Sequence, residues 1–232
     1  MLRIFIGYDH RQPVNYTVLQ QSIIEAATKP VAITPLVLPS LPLKRQGLTP
    51  FTFSRFLVPY LCGFEGPALF LDVDELVLGD VAELFAMADE QYAVQVVKHT
   101  TAALEPGTKL KFEWASVMLF NCGHPDNAKM TPDFIETAQN LHTISWTDAV
   151  GDLPAEWNHL VGYDTPKAAK LVHYTQGTPA YPEARLEYVK EWDAVARKAY
   201  SSKPWSDLMG TSVHARPVIN RLQREGKLKV SA

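Results

Sequence analysis

The stretch Phe70-Leu71-Asp72-Val73-Asp74-Glu75-Leu76-Val77-Leu78 is an apolar run that leads into two carboxylates. Together with the residues just before it, the run predicts a buried strand from Pro67 to Leu71. Asp72 and Asp74 are two residues apart, so in an extended segment their side chains project to the same side. Such a pair can hold one hard cation and leave coordination positions for water and a diphosphate. The simpler alternative is that both aspartates cap the strand and begin a turn.

The residues before this strand predict a strand, a helix and a second strand. The segments are Leu2 to Gly7, Val14 to Ala27 with apolar residues at helical spacing, and Val31 to Leu38, which Pro39 closes. A further helix is predicted from Phe51 to Leu61, although Pro59 removes one helical hydrogen bond. In open parallel sheets, ligands gather at the carboxyl ends of the strands, so Gly7 and Asp72 are expected at one edge.

The rest of the chain continues the alternation of strands and helices. Further helices are predicted over Val81 to Ala88, over Thr131 to Leu141 with Thr131 as the cap and Pro132 at the first helical position, and in the tail over Glu183 to Ala199 and Ser212 to Gly226. Further strands are predicted over Tyr92 to Val97, Val117 to Phe120 and Ala168 to Tyr174. The pattern indicates an α/β fold.

Length and composition favour one ordinary globular domain over residues 1–232. Hydrophobic residues make up 47% and charged residues 20% of the 232 residues, which argues against a disordered or fibrous protein. A net charge of −3 gives no basic footprint for nucleic acid. Cys62 and Cys122 are too few for a disulfide framework or a zinc site. No signal peptide or membrane span is recognisable, so a reducing cytoplasm is expected and the oligomeric state stays open.

Six segments resemble, in the same order, motifs of glycosyltransferase family 8 and its bacterial and phage relatives. They are Ile4-Phe5-Ile6-Gly7-Tyr8-Asp9, Thr52-Phe53-Ser54-Arg55-Phe56, Ala68 through Leu84 with Gly79-Asp80-Val81-Ala82-Glu83-Leu84, Ser116-Val117-Met118-Leu119-Phe120-Asn121, Leu153-Pro154-Ala155-Glu156-Trp157-Asn158, and Lys170-Leu171-Val172-His173-Tyr174-Thr175-Gln176-Gly177. The resemblance covers residues 1–180, which would form the motif-bearing core, with residues 181–232 as a helical C-terminal extension.

The resemblance implies a fold and an activity. The fold is GT-A: a mixed, mainly parallel sheet of the Rossmann-like nucleotide-binding kind, flanked by helices. The activity is transfer of a sugar from a nucleoside-diphosphate sugar, a UDP-sugar being favoured, to a hydroxyl of a glycan or another acceptor. The anomeric configuration would be retained, and the cofactor would be Mn²⁺ or Mg²⁺.

The resemblance also assigns roles to individual residues. The cation ligands would be Asp72, Asp74 and His173; the nucleotide side would include Gly7, Tyr8, Asp9, Arg11 and Val73; and Arg55 would sit near the diphosphate and the first aspartate. Asp148 would face the donor sugar and the acceptor and join Asp72 and Asp74 as a catalytic residue. Trp157 and Asn158 would shape the acceptor side, and Lys98 and His99 are site candidates because they end a predicted strand near the same face. Solvated loop charges at Arg11 and Asp148, a surface arginine at Arg55 and a structural histidine at position 173 are the alternatives.

The chain departs from the family pattern in two places. Trp114-Ala115-Ser116 stands where many members carry an amide-bearing Asn-Ala-Gly or Asn-Ser-Gly, and Thr178-Pro179-Ala180-Tyr181 stands where a Lys-Pro-Trp is usual. In the family that lysine touches the diphosphate, so its role must pass elsewhere or be lost. The identity of the donor therefore cannot be carried over from the resemblance.

Two other functions compete with this hypothesis. Leu69 to Asp74 also resembles the nucleophile strand of haloacid-dehalogenase-type phosphatases, in which the first aspartate attacks phosphorus. Against that function, Leu76 occupies the usual threonine position and the motif lies some seventy residues into the chain. The second competitor is a non-catalytic module that binds sugar nucleotides or glycans on the same scaffold.

Overall fold

The computed structural model describes residues 1–99, 113–165, 168–200, 220 and 224–226. Strands and helices alternate along the chain in the following order: β1 Leu2–Gly7, α1 Pro13–Ala26, β2 Val31–Leu36, α2 Val58–Leu61, β3 Pro67–Leu71, β4 Glu75–Val77, α3 Val81–Ala86, β5 Val94–Val96, β6 Val117–Asn121, α4 Pro132–Thr137, β7 Val150–Asp152, β8 His159–Leu160, β9 Leu171–His173 and α5 Val189–Ala199.

A mixed sheet of six strands forms the centre of the fold, in the order β2-β1-β3-β6-β5-β7. β1 is parallel to both β2 and β3, β5 is parallel to β7, and β6 is antiparallel to its neighbours β3 and β5. Ile6 is the register partner of Leu71, so β1 and β3 end side by side. The loops that follow Gly7 and Leu71 therefore leave the sheet at the same edge.

A second sheet of three strands, β4-β9-β8, lies next to that edge. β4 and β9 are antiparallel, and Glu75 is the register partner of His173. The backbone N–H of Tyr174 also donates to the carbonyl of Asp74 at 3.0 Å. This small sheet therefore carries a distant part of the chain to the residues that follow β3.

The apolar core surrounds the central sheet and continues into a smaller cluster behind the second sheet. β3 and β6 are buried along nearly their whole length, as their continuous apolar sequences predict. The smaller cluster joins α1, the second sheet and α5 through Val18, Leu76, Val172, Tyr174 and Trp192. The hydroxyl of Ser22 in α1 accepts the backbone N–H of Val77 at 3.1 Å, which fixes the second sheet to α1.

Most of the predicted elements are present, and the differences have local causes. The predicted helix from Phe51 to Leu61 consists of a 3₁₀ turn over Ser54–Leu57 followed by the single-turn α2. Pro59 lies in the first turn of α2, where its missing N–H costs no helical hydrogen bond. α4 begins as predicted, since the Thr131 hydroxyl accepts the N–H of Phe134.

The tail contains α5 inside the segment predicted as helical from Glu183 to Ala199. The second predicted tail helix, Ser212 to Gly226, lies outside the described residues apart from positions 220 and 224–226. The prediction of a single domain over residues 1–232 includes that segment and stays a prediction. Within the described ranges, no helix is both long and apolar enough to cross a membrane.

Candidate active site

A buried ion pair between Arg55 and Asp72 forms the floor of the site. Asp72 follows β3 directly, and its Oδ1 lies 2.9 Å from Arg55 Nη2, while Arg55 Nη1 donates to Oδ2 at 3.3 Å. Arg55 Nη1 also donates to the carbonyl of Ala115 at 2.7 Å, so the guanidinium joins β3 to the segment before β6. Arg55 is 7% exposed, which excludes the alternative of a surface arginine.

The second sheet brings His173 to Asp74. His173 Nε2 lies 3.6 Å from Asp74 Oδ1, and the imidazole is buried, with 3% of its surface exposed. Burial acts to lower the pKa of His173, but the carboxylates of Asp74, Glu113 and Asp72 outweigh it and raise that pKa above its usual value. Sequence reasoning placed this histidine with the two aspartates, and the fold brings them together.

Glu113 is a third carboxylate at the site, and sequence reasoning missed it. One oxygen each from Asp72 and Glu113 and one ring nitrogen of His173 all lie within 4.8 Å of one another. His173 Nδ1 is buried and has no hydrogen-bond partner in the described part of the chain, and Asp72 Oδ1 lacks one with good geometry despite its short distance to Arg55. Buried polar atoms without partners normally require one, and an oxygen- and nitrogen-lined cluster of this size fits a divalent cation.

Glu75 adds a fourth carboxylate, also missed, immediately behind this cluster. Its side chain is 1% exposed, and neither carboxylate oxygen has a hydrogen-bond partner in the described ranges. Burial raises the pKa of Glu75 well above its usual value, and the nearby charges of Asp72 and Asp74 raise it further. Burial likewise raises the pKa of Asp72 to about 7, against the opposing charge of Arg55. The site therefore has more acidic groups than its arginine and histidine balance.

Two adjoining cavities open along this edge of the sheet. One, of about 450 Å³, is lined by site residues that include Arg55, Asp72, Asp74, Glu113 and His142. The other, of about 440 Å³, is lined by Tyr8, His10, Arg11, Leu38 and the segment from Gln46 to Pro50. Leu48 and Thr49 line both cavities, so the two form one cleft.

The sequence was compared with known proteins and protein families. No protein-family model matches the chain. Over 206 residues, covering 76% of this chain and 78% of the other, it is 36% identical to the protein CDI of Arabidopsis thaliana. This chain belongs to the CDI family. The name of the Arabidopsis protein states no activity, so this relationship alone assigns no activity to the chain.

Solved structures identify the fold of this CDI-family chain. The galactosyltransferase LgtC, solved with donor and acceptor sugar analogues, aligns with a TM-score of 0.65 at 13% identity over 88% of this chain and 98% of its own. The glycosyltransferase GlyE of Streptococcus pneumoniae TIGR4 aligns with a TM-score of 0.62 at 14% identity over 100% of this chain and 67% of its own. The predicted GT-A fold is thereby confirmed.

The loop after β1 forms the outer wall of the cleft in this CDI-family chain. Asp9 is buried, and both of its carboxylate oxygens accept hydrogen bonds from Arg11. Arg11 Nε donates to Oδ1 at 2.9 Å and to Oδ2 at 3.0 Å, and Nη2 donates to Oδ2 at 2.6 Å. The Arg11 side chain lowers the pKa of Asp9. Gly7 ends β1, and Tyr8 and Arg11 line the second cavity, while their role toward a nucleotide stays a prediction. The Asp9 carboxylate is engaged by Arg11 rather than directed freely into the cleft.

The remaining residues that the sequence predicts at the site are Val73, Trp157, Asn158, Lys98 and His99. Val73 is 1% exposed and Trp157 is fully buried, and both side chains belong to the main core. Asn158 is buried beneath the site, where its Nδ2 donates to Ser116 Oγ at 2.9 Å. Lys98 Nζ pairs with Asp152 at 3.0 Å, next to the same end of β5 from which His99 bonds the Asn158 carbonyl.

Asp148 is not brought to this cluster. It is exposed and precedes β7, whose first residue, Val150, pairs with Val94 at the amino end of β5. Asp72 lies at the opposite edge of the sheet, where β6 begins, since Leu71 pairs with Val117.

His142 was not predicted as a site residue, but it does line the cleft. Burial together with the charge of Arg55 lowers the pKa of His142 to about 4, so its imidazole is neutral near pH 7.

Proposed function

We propose that this CDI-family chain is a metal-dependent glycosyltransferase. It would take a sugar from a nucleoside-diphosphate sugar, with a UDP-sugar favoured, and transfer it to a hydroxyl of a glycan or another acceptor. The observation that carries the proposal is the meeting of Arg55, Asp72 and Asp74 in one cleft at the carboxyl end of β3, with His173 buried beside Asp74. Glycosyltransferases with the same fold support that reaction class.

The proposed residue roles follow from charge and burial. Asp72, Asp74 and His173 would hold Mn²⁺ or Mg²⁺, since carboxylate oxygens and neutral imidazole are suitable ligands. A bound divalent cation would neutralise the negative charge that develops on the departing nucleoside diphosphate. Arg55 keeps the Asp72 carboxylate in position through two contacts and holds a positive charge at the floor of the cleft. A dication would offset the excess of acidic groups at the site.

The second cavity would take the nucleoside. It adjoins the acidic cluster through Leu48 and Thr49, and its lining offers an aromatic ring at Tyr8 and polar groups at His10, Arg11 and Gln46. The Arg11 guanidinium bonds Asp9 through Nε and Nη2, and its remaining N–H donors would be available to a diphosphate or ribose. A nucleotide lying along the cleft would thus place its diphosphate beside Asp72 and Asp74.

The proposed transfer retains the anomeric configuration. The acceptor oxygen forms a bond to the anomeric carbon on the face from which the diphosphate oxygen leaves, and the acceptor proton passes to that phosphate oxygen. This route requires no carboxylate nucleophile. The chain's residues would bind and orient the two sugars, and the fixed charges around Asp72 would stabilise the departing group.

A thermal-shift experiment tests the binding part of the proposal. The melting temperature should rise in the presence of UDP and Mn²⁺ together, and far less with either alone, because only the joint complex binds the folded state tightly. Asp74→Asn should remove most of the joint shift. The matched control is Asp133→Asn, which changes an exposed carboxylate in the first turn of α4.

A turnover assay with a panel of sugar nucleotides then separates the enzyme from a non-catalytic binding module. Release of UDP from at least one donor should require the metal and fall strongly in Asp74→Asn. Full metal-dependent turnover by Asp74→Asn would contradict the ligand role. Joint binding of nucleotide and metal without any hydrolysis or transfer would favour the binding module instead.

A further inference from the structure

Glu113 comes from the segment before β6, 39 residues after Asp74 in the chain, and yet its carboxylate lies at the acidic cluster. One of its oxygens lies within 4.8 Å of both an Asp72 oxygen and a His173 nitrogen. Atoms that bind one ion at about 2.0 to 2.6 Å are at most about 5 Å apart. The spacing of these three groups therefore suits a single divalent ion.

We propose that Glu113 is a ligand of the divalent cation, together with Asp72 and His173, and that Ser116 and Asn158 are its positioning residues. The inference rests on the proposed function, because it concerns the same cation. It adds a ligand that lies outside the Asp72-Val73-Asp74 segment. Asp74 then has a second task, since it lies beside His173 Nε2 and can orient that imidazole.

The backbone of Glu113 shows that its placement is enforced. Its φ is +52°, in the left-handed region that non-glycine residues rarely adopt. Such a conformation costs on the order of 1 to 3 kcal/mol and persists only when the surroundings impose it, often at functional sites. In the described chain, hydrogen bonds to the Glu113 carbonyl oxygen hold this conformation.

That carbonyl oxygen accepts three hydrogen bonds. The donors are the Ser116 N–H at 3.3 Å, the Ser116 hydroxyl at 2.7 Å and Asn158 Nδ2 at 3.3 Å. Ser116 and Asn158 are both buried, at 1% and 0% exposure, and they also bond each other. The two side chains therefore fix the backbone from which the carboxylate of Glu113 extends.

The other two members of the cluster, His173 and Asp72, also favour a bound cation. His173 Nδ1 is buried and has no hydrogen-bond partner within the described ranges, whereas Asp72 Oδ1 has the ion pair with Arg55 Nη2 but no hydrogen bond of good geometry. Asp72 and His173 are 7% and 3% exposed. A cation bound by Asp72, Glu113 and His173 would satisfy such atoms without a proton.

Calorimetric titration of Mn²⁺ into the protein with excess UDP, corrected with a UDP-only blank, tests the ligand role. Glu113→Gln should weaken Mn²⁺ binding by at least about tenfold, in keeping with the loss of one ligand or its support. Glu113→Asp should retain part of the affinity, because it keeps the charge. The control Glu90→Gln, which changes an exposed carboxylate, should bind like the parent.

Melting temperatures in a chelator identify any loss of fold, and Glu113→Gln should melt within a few degrees of the parent. Ser116→Ala should weaken Mn²⁺ binding less than Glu113→Gln while its metal-free melting temperature stays close to that of the parent. A metal-free melting temperature that falls while Mn²⁺ affinity is kept would show a structural role for Ser116 and overturn its positioning role.

The outcomes separate this inference from the proposed function. Parent-like Mn²⁺ affinity in folded Glu113→Gln, with affinity lost in Asp72→Asn, would overturn the Glu113 role and leave the proposed function standing. A parent protein that binds no Mn²⁺ with UDP present would overturn both. Weaker binding in Glu113→Gln and in Asp72→Asn, with Glu90→Gln unchanged, would support both.

Discussion

The ring of Phe51 fills the space beside Gly7. A Cβ atom built on Gly7 would lie 2.5 Å from two ring carbons of Phe51, far closer than carbon atoms pack. The centre of the same ring lies 5.4 Å from the Arg55 guanidinium carbon. The loop after β1 is thus in contact with the buried arginine through one aromatic side chain.

Gly7→Ala should therefore disturb both stability and ligand binding. Overpacking of a buried contact costs about 1 to 3 kcal/mol, so the free energy of unfolding should fall by that amount. The displaced Phe51 ring should also shift Arg55 and weaken joint binding of UDP and Mn²⁺. Denaturant titration and thermal shift measure the two effects, and Gly7→Ala/Phe51→Leu should recover part of the stability. An unchanged midpoint in Gly7→Ala would contradict the contact.

Glu75→Gln should stabilise the metal-free protein near neutral pH. The folded-state pKa of Glu75 is raised above the usual 4.5, so its ionisation increasingly opposes folding as the pH rises from about 4.5 toward that raised value. Removing the charge should add more than about 1 kcal/mol to the free energy of unfolding at pH 7. The gain should be small at pH 4.

Urea denaturation in a chelator at pH 4, 5.5 and 7 provides that measurement, with Glu90→Gln as the exposed control. Since Glu75 adjoins Asp72 and Asp74, Glu75→Gln should also bind Mn²⁺ less tightly, because its amide, unlike the carboxyl group, cannot ionise when the cation binds. A loss of stability at pH 7 would instead mean that the carboxylate of Glu75 is well paired in solution.

Asp9→Asn should lose stability in a pH-dependent manner. The bonds from Arg11 lower the folded-state pKa of Asp9 below its usual 3.8. Its contribution is therefore complete above that value and is lost as the pH falls through the lowered pKa. At pH 7 the variant should be less stable by about 1 to 2 kcal/mol, allowing for solvent around the exposed Arg11. The difference from the parent should narrow below about pH 3.5, and a constant difference down to pH 2.5 would contradict the pairing.

Long apolar segments could be predicted from the sequence, but three of the short strands could not. β3 is a continuous apolar run and β1 is apolar apart from Arg3, and their predicted boundaries match the structure. β4, β7 and β8 have only three, three and two residues, too few to show a periodicity. Their pairings depend on contacts with distant segments, which local sequence does not encode.

The residues of the candidate site likewise include some that the sequence could predict and some that it could not. Asp72, Asp74 and His173 were found because they follow apolar strands in a recognisable order. Glu113 follows no strand that the sequence predicts, and its position depends on hydrogen bonds from Ser116 and Asn158, so no local signal marks it. Glu75 was visible in the opening stretch, but only the pairing of β4 with β9 turns its side chain into the interior.

The tripeptide expected after Gly177 does occur later in the sequence. Lys203-Pro204-Trp205 lies 26 residues beyond Gly177, outside the described residues. The departure at Thr178 to Tyr181 stands, because this tripeptide does not follow Gly177 directly.

Arg55 and Asp72 should show strong energetic coupling. Arg55→Met removes the only positive charge that contacts Asp72 in the described chain, and breaking a buried pair in this way costs about 3 to 5 kcal/mol. The pKa of Asp72, already about 7, should rise further, so the loss should be smaller at pH 6 than at pH 8. Asp72→Asn should cost less, because it removes a carboxylate that burial already disfavours, and the double variant should cost much less than the sum. A double-mutant cycle in urea at both pH values measures the coupling.

Arg55→Lys keeps the charge but cannot contact both Asp72 and the Ala115 carbonyl. It should therefore recover only part of the stability that Arg55→Met loses, and it should bind UDP with Mn²⁺ about tenfold more weakly than the parent. Additive costs for Arg55→Met and Asp72→Asn would mean that the pair does not hold the floor of the cleft together.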